Sequence, residues 1–259
     1  MTELVVVDER ESFAIFRINR PDKRNAMNRD TRRALMQAMD SVRGRHKAVV
    51  LTGTDSSFCA GIDLKESAAD REKGIGEDPL TDWNEVNIAI RRHPAVFIAA
   101  VNGTALGGGS TLINVCDLAI AAHEAQIGMP EVGFGSYPGL AGPAMQMALT
   151  RKRAALMILT TQRIDGRTAE AWGLVNFSVP LAELMREAEA LAARVAQFDS
   201  VVLAECKRAM DYIPNVITDW RQAFEYGAKV NTLIRSRTNA RNEGQARFER
   251  GERNPGQGR

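Results

Sequence analysis

Three consecutive glycines, Gly107 to Gly109, limit the possible local structure of this chain more than any other feature. They belong to the stretch GTALGGGS (103–110), which directly follows the apolar run PAVFIAAVN (94–102). Ordering three glycines is costly in conformational entropy, so bare backbone is needed here for a turn or for the close approach of another group. The stretch resembles the phosphate-binding pattern G-x-x-x-x-G-K-[ST], but Gly109 stands at the lysine position. We therefore do not expect it to bind nucleotide phosphates.

A second turn repeats the same design. The apolar run KAVVLTG is followed by CAGIDL (59–64), just as AVFIAAVNG is followed by ALGGGS. Small residues in both turns let a ligand approach the main-chain N–H groups. If GGGSTLINV opens a helix, its first N–H groups are unsatisfied and the positive end of the helix dipole faces the turn. Two turns that each supply one N–H group are suited to an oxyanion that develops during a reaction, such as an enolate or thioester oxyanion.

The stretch GMPEVGFG (128–135) supplies a candidate acid. Glu131 follows a proline that fixes the local chain, and its neighbours Met129 and Val132 are apolar. Apolar surroundings raise the pKa of a carboxyl group toward neutrality, which suits a general acid/base. The sequence therefore predicts that Glu131 is catalytic.

The remaining pattern predicts an α/β half followed by helices. The first twenty residues alternate between apolar and polar, which indicates a β-hairpin, and Asn28 is a candidate N-cap. A mobile surface excursion is expected at 68–79, and fraying is expected over 247–259. Strands are predicted at 47–53, 94–102 and 118–122, and helices at 29–42, 80–93, 110–117, 142–160, 167–172 and, almost continuously, from about 181.

Composition excludes several classes of protein. A net charge of +2 among 259 residues implies no nucleic-acid partner, and the longest apolar run, AVFIAAV, is too short to span a membrane. The acidic N-terminal stretch is unlike a signal peptide. Three cysteines without C-x-x-C spacing suggest neither a disulfide framework nor a metal site. These features predict a cytoplasmic location and no bound metal.

Five stretches together resemble the crotonase (enoyl-CoA hydratase/isomerase) superfamily in order and spacing, over roughly residues 12–180. They are RPDKRNAMN, SSFCAGIDLKE, PAVFIAAVNGTALGGGSTL with CDLAIA, AQIGMPEVGFG, and RIDGRTAEAWGLVN. The resemblance implies a crotonase-type ββα spiral core in residues 1–195 and a helical C-terminal trimerisation segment in 196–259. It also implies an acyl-CoA thioester substrate, a role in fatty acid metabolism, and a homotrimer or hexamer (a dimer of trimers). No separate cofactor is expected, because coenzyme A is part of the substrate.

The resemblance also assigns roles to individual positions. It implies that the backbone N–H groups of Ile62 and Gly108 form an oxyanion hole. Main-chain contacts to coenzyme A are implied for Arg24, Ala26, Ala60, Asp63 and Leu64. The side chain of Asp63 is itself interpreted as a helix N-cap.

One departure from the family pattern affects the expected reaction. Hydratases of this superfamily that use two glutamates carry the first acid at the position of Thr111 and the second at that of Glu131. Only one carboxylate remains here, so a hydratase that holds its water between two acids would be weakened. Thr111 is interpreted either as a substrate contact or as a residue of the helix's inner face.

Three functions stay open at this point. The first is an enoyl-CoA hydratase/isomerase-type enzyme with Glu131 as general acid/base. The second is a hydroxycinnamoyl-CoA (feruloyl or coumaroyl) hydratase-lyase, in which Tyr226 aligns loosely with a tyrosine of those lyases. The third is a non-catalytic acyl-CoA binding protein. A Rossmann dehydrogenase is disfavoured because Leu112 occupies the third glycine position of that fingerprint.

The other chemistry-bearing residues are expected to be structural. His46, His93 and His123 are predicted to be surface or satisfied structural histidines, Cys59 and Cys116 to be core residues, and Asp117 to cap a strand. The C-terminal arginines are interpreted as a solvated face, or alternatively as a source of one contact to the coenzyme A phosphates; they are Arg235, Arg237, Arg241, Arg247, Arg250 and Arg253.

Overall fold

The strands lie in two sheets of unequal size. The computed structural model describes residues 3–76 and 82–253. Within these residues the strands are β1 (Val5–Glu9), β2 (Phe13–Ile18), β3 (Ala48–Gly53), β4 (Ser57–Cys59), β5 (Val96–Val101), β6 (Thr104–Leu106), β7 (Leu118–Ala122), β8 (Gln126–Gly128) and β9 (Phe177–Val179). The large sheet has the order β1-β2-β3-β5-β7-β9, and the small sheet has the order β4-β6-β8. Among the strand pairs of the described residues, only β1–β2 is antiparallel.

Helices surround these sheets and form the whole C-terminal part of the described chain. They are α1 (Arg29–Val42), α2 (Leu64–Glu72), α3 (Trp83–Arg92), α4 (Gly108–Val115), α5 (Ala141–Ala148), α6 (Arg151–Thr160), α7 (Gly166–Trp172), α8 (Leu181–Ala196), α9 (Ser200–Val216), α10 (Trp220–Arg237) and α11 (Ala240–Glu249). Two short 3₁₀ helices span Pro21–Lys23 and Glu131–Phe134.

A strand pair recurs three times along the chain. In β3–β4, β5–β6 and β7–β8, the first strand joins the large sheet and the second joins the small one. Each pair is followed by helical structure, so the chain winds as a ββα spiral, which confirms the predicted fold class. Strands β3 and β5 are buried along their whole length, as expected for parallel strands covered on both faces.

Several local predictions are confirmed. Strands β1 and β2 form the expected hairpin. The side chain of Asn28 caps α1 by accepting a hydrogen bond of 3.0 Å from the N–H of Thr31. Helix α1 spans the predicted residues.

Three predictions need correction. The proposed excursion at 68–79 is helical over 68–72, because α2 continues to Glu72; residues 77–79 lie outside the described residues. The helix expected over 142–160 is two helices, since Leu149 adopts an extended conformation that ends α5. Fraying was expected from residue 247, but α11 extends to Glu249.

A buried lysine anchors the C-terminal helices to the core. Lys207 of α9 donates hydrogen bonds of 3.0 Å to the carbonyls of Ile90 and Ala95 and lies 2.8 Å from the carboxylate of Asp117. Asp117 also accepts a 2.8 Å hydrogen bond from the N–H of Phe97, which confirms its strand-capping role. Helix α8 packs on strands β3, β5 and β7, and α10 packs on α9. The division into domains at residues 195 and 196 stays a prediction.

No helix in the described parts of the chain combines the length and the apolar composition needed to cross a bilayer.

Candidate active site

The two glycine-containing turns meet. Gly61 lies between β4 and α2 with a φ of +91°, and a methyl group built on it would lie 2.7 Å from the carbonyl oxygen of Leu106 and 3.2 Å from the nitrogen of Gly108. Only a residue without a side chain allows this approach and this left-handed backbone. The chain therefore brings Ile62 and Gly108 to neighbouring positions, although 45 residues lie between them in sequence.

The N–H groups of Ile62 and Gly108 have no protein acceptor among the described residues. Ile62 and Met27 form an isolated parallel β-bridge, and the residues on either side of Ile62 make its hydrogen bonds. The N–H of Met27 donates to the carbonyl of Gly61, and the N–H of Asp63 donates to the carbonyl of Met27. The N–H of Ile62 itself therefore points away from this bridge. Gly108 begins α4, so its N–H has no partner within the helix and lies at the positive end of the helix dipole.

Each glycine of the run has a different close neighbour. A methyl group built on Gly107 would lie 2.5 Å from Oε1 of Glu131, and one built on Gly108 would lie 2.6 Å from Nε1 of Trp83. A methyl group on Gly109 would lie 1.9 Å from the carbonyl oxygen of Cys59. A carboxylate, an indole ring and a strand end thus all pack against bare backbone. The run is explained by these three approaches, without a phosphate.

Glu131 begins the 3₁₀ helix after Pro130 and is half-buried. Its Oε2 atom is buried without a hydrogen-bond partner, and Glu131 takes part in none of the ion pairs of the described residues. Burial raises the pKa of Glu131, and a backbone hydrogen bond offsets only part of this effect. A raised pKa makes the carboxyl group hold its proton more readily than an exposed glutamate does, which suits a general acid/base.

The loop before α1 lies beside the turn that contains Ile62. Ala60 N–H donates a 3.0 Å hydrogen bond to the carbonyl of Arg24, and the guanidinium of Arg20 donates to the carbonyl of Ala26 and to Asp63. Of the five residues expected to contact coenzyme A, Arg24 is thus linked to Ala60 directly, and Ala26 is linked to Asp63 through Arg20. Leu64, the fifth, begins α2 and is exposed.

Asp63 has the capping role expected of its side chain. Its Oδ1 accepts hydrogen bonds from the N–H groups of Lys65 and Glu66 in the first turn of α2. Burial opposes ionisation of Asp63, but the hydrogen bond from Arg20 and those from α2 outweigh it, so the pKa of Asp63 is lowered. This carboxylate serves to fix the turn that presents Ile62.

Two further polar side chains border the glycine run. Thr111, one turn into α4, and Trp83, at the start of α3, are almost fully buried. Neither Oγ1 of Thr111 nor Nε1 of Trp83 has a hydrogen-bond partner among the residues that the structure describes. Sequence reasoning singled out Thr111 but missed Trp83. Trp83 belongs to none of the motifs, and its approach to Gly108 depends on the packing of α3 on α4.

Tyr226 is not brought to these turns by the contacts of the single chain. It lies on α10, where its ring stacks on that of Tyr212 of α9 with centroids 4.6 Å apart. Its role as a substrate contact stays a prediction.

The histidines and two cysteines have the structural settings expected of them. His46 bonds to Glu9, His93 to the carbonyl of Met39, and His123 to Ser178. Burial lowers the pKa of His93 to about 4, so this ring is neutral at physiological pH. Cys59 and Cys116 are buried, and burial raises the pKa of both thiols.

The C-terminal arginines are exposed, as predicted for a solvated face, and Arg237 pairs with Glu205. Four of them line a groove of about 970 Å³ formed by α9, α10 and α11, together with Lys47; they are Arg235, Arg241, Arg247 and Arg250. Within the described ranges, no group of three or more His, Cys, Asp or Glu side chains is arranged to hold a metal ion.

Known proteins share both the sequence and the fold. The sequence profile of the family described as Enoyl-CoA hydratase/isomerase matches residues 8–252. A hydroxycinnamoyl-CoA hydratase-lyase of Pseudomonas fluorescens is 30% identical over 253 residues, which cover 94% of this chain and 91% of that protein. A probable enoyl-CoA hydratase of Rhizobium meliloti is 35% identical over 214 residues, 81% of each chain. The crystal structure of an enoyl-CoA hydratase from Mycobacterium tuberculosis superposes with a TM-score of 0.86 at 29% identity, covering 97% of this chain and 98% of the other.

Proposed function

Because the chain belongs to the enoyl-CoA hydratase/isomerase family, within the crotonase superfamily of enzymes, we propose that it acts on an acyl-CoA thioester through Ile62, Gly108 and Glu131. The backbone N–H groups of Ile62 and Gly108 bind the thioester oxygen. Glu131 transfers a proton to or from a carbon near that carbonyl. The proposal depends mainly on the close approach of Gly61 to the backbone nitrogen of Gly108. At the adjacent Gly107, which has no side chain, the carboxylate of Glu131 contacts the backbone.

The first step is stabilisation of negative charge. When a proton leaves the carbon next to a thioester carbonyl, or when a nucleophile adds to the conjugated double bond, the electron pair moves onto the carbonyl oxygen as an enolate. Two N–H donors fixed by a helix start and a bridged turn do not need to reorganise to receive this charge. A single donor of this kind contributes about 3–4 kcal/mol to lowering a barrier.

The second step is proton transfer by Glu131. Its side chain is half-buried, has no ion-pair partner within the described ranges, and lies against Gly107, the residue that precedes Gly108. Burial raises the pKa of Glu131, which makes its carboxylate a better proton acceptor than an exposed one, and the same side chain can return the proton at another carbon. This chemistry requires no bound cofactor, since coenzyme A belongs to the substrate.

Coenzyme A itself is assigned to the surface formed by residues 24–26 and 60–64. Backbone hydrogen bonds hold these two segments side by side, and the exposed Leu64 lies at their edge. Cytoplasmic location and a role in fatty acid metabolism stay predictions.

A second candidate reaction is hydration followed by retro-aldol cleavage of a hydroxycinnamoyl-CoA. It is favoured by the similarity to the Pseudomonas fluorescens hydratase-lyase over 94% of this chain. Thr111 in place of a second carboxylate is compatible with this reaction, as it is with isomerisation. The two candidates share the oxyanion donors and Glu131 and differ in the acyl group.

We also propose that the chain assembles into a trimer or hexamer. Two groups of large apolar side chains are exposed, one on the segment from the second 3₁₀ helix to α6 and the other on α9 and α10. The first comprises Phe134, Tyr137, Met147 and Leu159, beside a groove of about 470 Å³; the second comprises Met210, Trp220 and Phe224. Exposed apolar patches of this kind mark protein–protein interfaces.

A panel of three thioesters tests the proposed function. Crotonyl-CoA, a 3-enoyl-CoA and feruloyl-CoA are incubated with the wild-type protein and with Glu131→Gln, and products are identified by mass spectrometry. We expect turnover of at least one thioester by the wild type, its loss in Glu131→Gln, and undiminished thioester binding by that variant. Glu124→Gln, which changes an exposed glutamate, is the control and is expected to keep full activity. Undiminished turnover by Glu131→Gln would refute the assigned role.

A further inference from the structure

A cavity of about 280 Å³ lies at the edge of the large sheet opposite the candidate active site. It is lined by the loop between α1 and β3 (44–47), the turn before β5 (94–95), and parts of α9 and α10. Strands β3 and β5 begin at this edge, whereas the turns that contain Ile62 and Gly108 come after their other ends. A strand of six residues, such as β3, spans about 20 Å. The cavity is therefore separate from the candidate active site of the same chain.

Positive charge dominates this cavity. Four cationic side chains line it, and Glu205 is the only carboxylate among the described residues that do; the four are Arg45, Lys47, Arg208 and Arg237. Glu205 is buried and is shared by two guanidiniums, 2.6 Å from Arg208 and 2.8 Å from Arg237. The ammonium of Lys47 donates to the carbonyl of Ala196 and takes part in none of the ion pairs of the described residues. The cavity thus has cations that its own carboxylate does not neutralise.

The start of α9 adds neutral donors to the same cavity. Ser200 is the first residue of this 17-residue helix, and neither its N–H nor its hydroxyl has an acceptor within the described ranges. The carboxylate of the preceding Asp199 is occupied, because it accepts from two N–H groups of α9 and from the hydroxyl of Thr238. An unpaired N–H at the positive end of a helix favours an anion.

A buried histidine nitrogen points independently to a ligand. The side chain of His46 lines the cavity and exposes 7% of its surface, and its Nδ1 has no partner in the described part of the chain. Nε2 lies 2.8 Å from Oε2 of Glu9, and hydrogen bonds from His46 and Arg45 lower the pKa of Glu9. An ionised carboxylate only accepts, so Nε2 carries the hydrogen and Nδ1 of the neutral ring is an acceptor. An unpaired buried acceptor is costly, so a ligand that donates a hydrogen bond here is favoured.

From these groups we infer that the cavity binds inorganic phosphate as its dianion. Hydrogen phosphate has three oxygens that accept from guanidinium, ammonium and backbone N–H groups, a geometry that arginine matches well. Its one O–H donates to Nδ1 of His46. Sulfate and phosphate monoesters carry the same charge at weakly alkaline pH but lack this O–H, so the site distinguishes them from free phosphate.

Bound phosphate also connects two parts of the fold. Its donors come from Ser200 and Arg208 of α9 and from Lys47, which precedes β3. A ligand that binds the folded chain and not the unfolded one stabilises the fold. Phosphate therefore holds α9 against the sheet.

The test compares three anions of equal charge. Titration calorimetry at about pH 8 measures the binding of phosphate, methyl phosphate and sulfate, with the ionic strength held constant by potassium chloride. Arg208→Gln removes one cation and leaves Glu205 paired with Arg237. Arg221→Gln is the matched control, because Arg221 is exposed on α10 and does not line the cavity.

A second variant removes the acceptor. His46→Phe keeps a flat ring without nitrogen, and Glu9 keeps its two hydrogen bonds from Arg45. The preference of the wild type for phosphate over sulfate tests the same contact if His46→Phe does not fold.

We expect the wild type to bind phosphate about tenfold more tightly than sulfate or methyl phosphate, the effect of one hydrogen bond to a buried acceptor. Arg208→Gln should bind all three anions about tenfold more weakly, because a charged donor is lost. In His46→Phe the ratio of phosphate to sulfate affinity should fall toward one. Arg221→Gln should behave as the wild type.

Two results would overturn the inference. One is a wild type that binds no phosphate, or an Arg208→Gln variant that binds it as tightly as the wild type. The other is equal affinity of the wild type for phosphate and sulfate, which would exclude the hydrogen bond to His46. No thioester enters these measurements, so their outcome is independent of the proposed function.

Discussion

The carboxylate of Glu131 lies directly against the α-carbon of Gly107. A methyl group built at Gly107 would be 2.5 Å from Oε1 and 3.4 Å from Cδ of that side chain. The turn before α4 and the turn after β8 are therefore in contact at this point. The contact requires a glycine, because any side chain at position 107 would occupy the place of the carboxylate.

Gly107→Ala should displace Glu131 and reduce kcat. Its methyl group cannot coexist with the observed position of the carboxylate, and a shift of about 1 Å in a catalytic group costs on the order of a hundredfold in rate. The measurement is kcat and KM on the thioester identified by the substrate panel. Gly44→Ala is the control, because Gly44 also has a positive φ but no atom within 4 Å of the added methyl. A wild-type kcat in Gly107→Ala would show that the carboxylate need not lie here.

Gly109→Ala should affect folding rather than chemistry. The added methyl would lie 1.9 Å from the carbonyl oxygen of Cys59, which is backbone of β4 and cannot rotate away. We expect destabilisation of at least about 1–3 kcal/mol, the usual cost of overpacking. The free energy of unfolding in urea is the measurement.

Gly244→Ala provides the opposite case for comparison. Gly244 lies within α11 with open space around it. Its replacement should stabilise the protein by about 0.5–1 kcal/mol, because alanine is the better helix former. Equal effects of the two substitutions would contradict the packing of α4 on β4.

Glu131→Gln should make the fold more stable at neutral pH. Because the pKa of Glu131 is raised in the folded chain, protonation stabilises the fold. That contribution is fully present below the pKa of an unfolded glutamate and is lost as the pH rises through the folded pKa. Glutamine does not ionise, so the variant should exceed the wild type in stability at pH 7, and the difference should shrink as the pH falls to about 4.

Urea midpoints at the two pH values measure this difference, with Glu124→Gln as the control at an exposed glutamate. A variant that is less stable than the wild type at pH 7 would mean that the carboxylate is held by favourable contacts.

Lys207→Met should loosen the C-terminal helices. The substitution leaves the buried carboxylate of Asp117 without its cation, and breaking a buried ion pair costs about 3–5 kcal/mol. Burial raises the pKa of Asp117, and Lys207 acts in the opposite direction. Urea unfolding gives the loss, and hydrogen exchange should show reduced protection in α9. Lys229→Met, at an exposed position of α10, is the control.

The double variant Asp117→Asn with Lys207→Met separates charge from packing. Asparagine keeps an acceptor for the N–H of Phe97 and carries no charge. It should therefore recover part of the stability lost in Lys207→Met. A double variant that is less stable than the single one would contradict a charge-based cost.

The amino-acid pattern predicts much of this fold because its local signals agree with its tertiary structure. Asn28 precedes an amphipathic segment and caps α1, and the apolar runs that become β3 and β5 are buried on both faces. The threefold strand pairing is not visible as a sequence repeat, since the segments that connect the pairs differ greatly in length. The break at Leu149 carries no glycine or proline signal, so one helix was expected where two form.

The candidate site is only partly readable from sequence, for a physical reason. The positions of Ile62, Gly108 and Glu131 lie in short motifs that carry small residues or an acid after a proline. The side chains around them come from elsewhere: Arg20 fixes the turn through Asp63, and Trp83 reaches Gly108 from α3. These contacts depend on how helices and loops pack, and a single sequence does not encode them as a spacing.

A crystal structure of the protein with a bound acyl-CoA thioester tests most directly whether two backbone N–H groups converge on one carbonyl. We expect the thioester oxygen to lie about 2.7–3.2 Å from the nitrogens of both Ile62 and Gly108, with the carboxylate of Glu131 facing the carbon next to that carbonyl. A thioester oxygen bound to neither nitrogen, or a Glu131 side chain turned away into solvent, would contradict the proposed site.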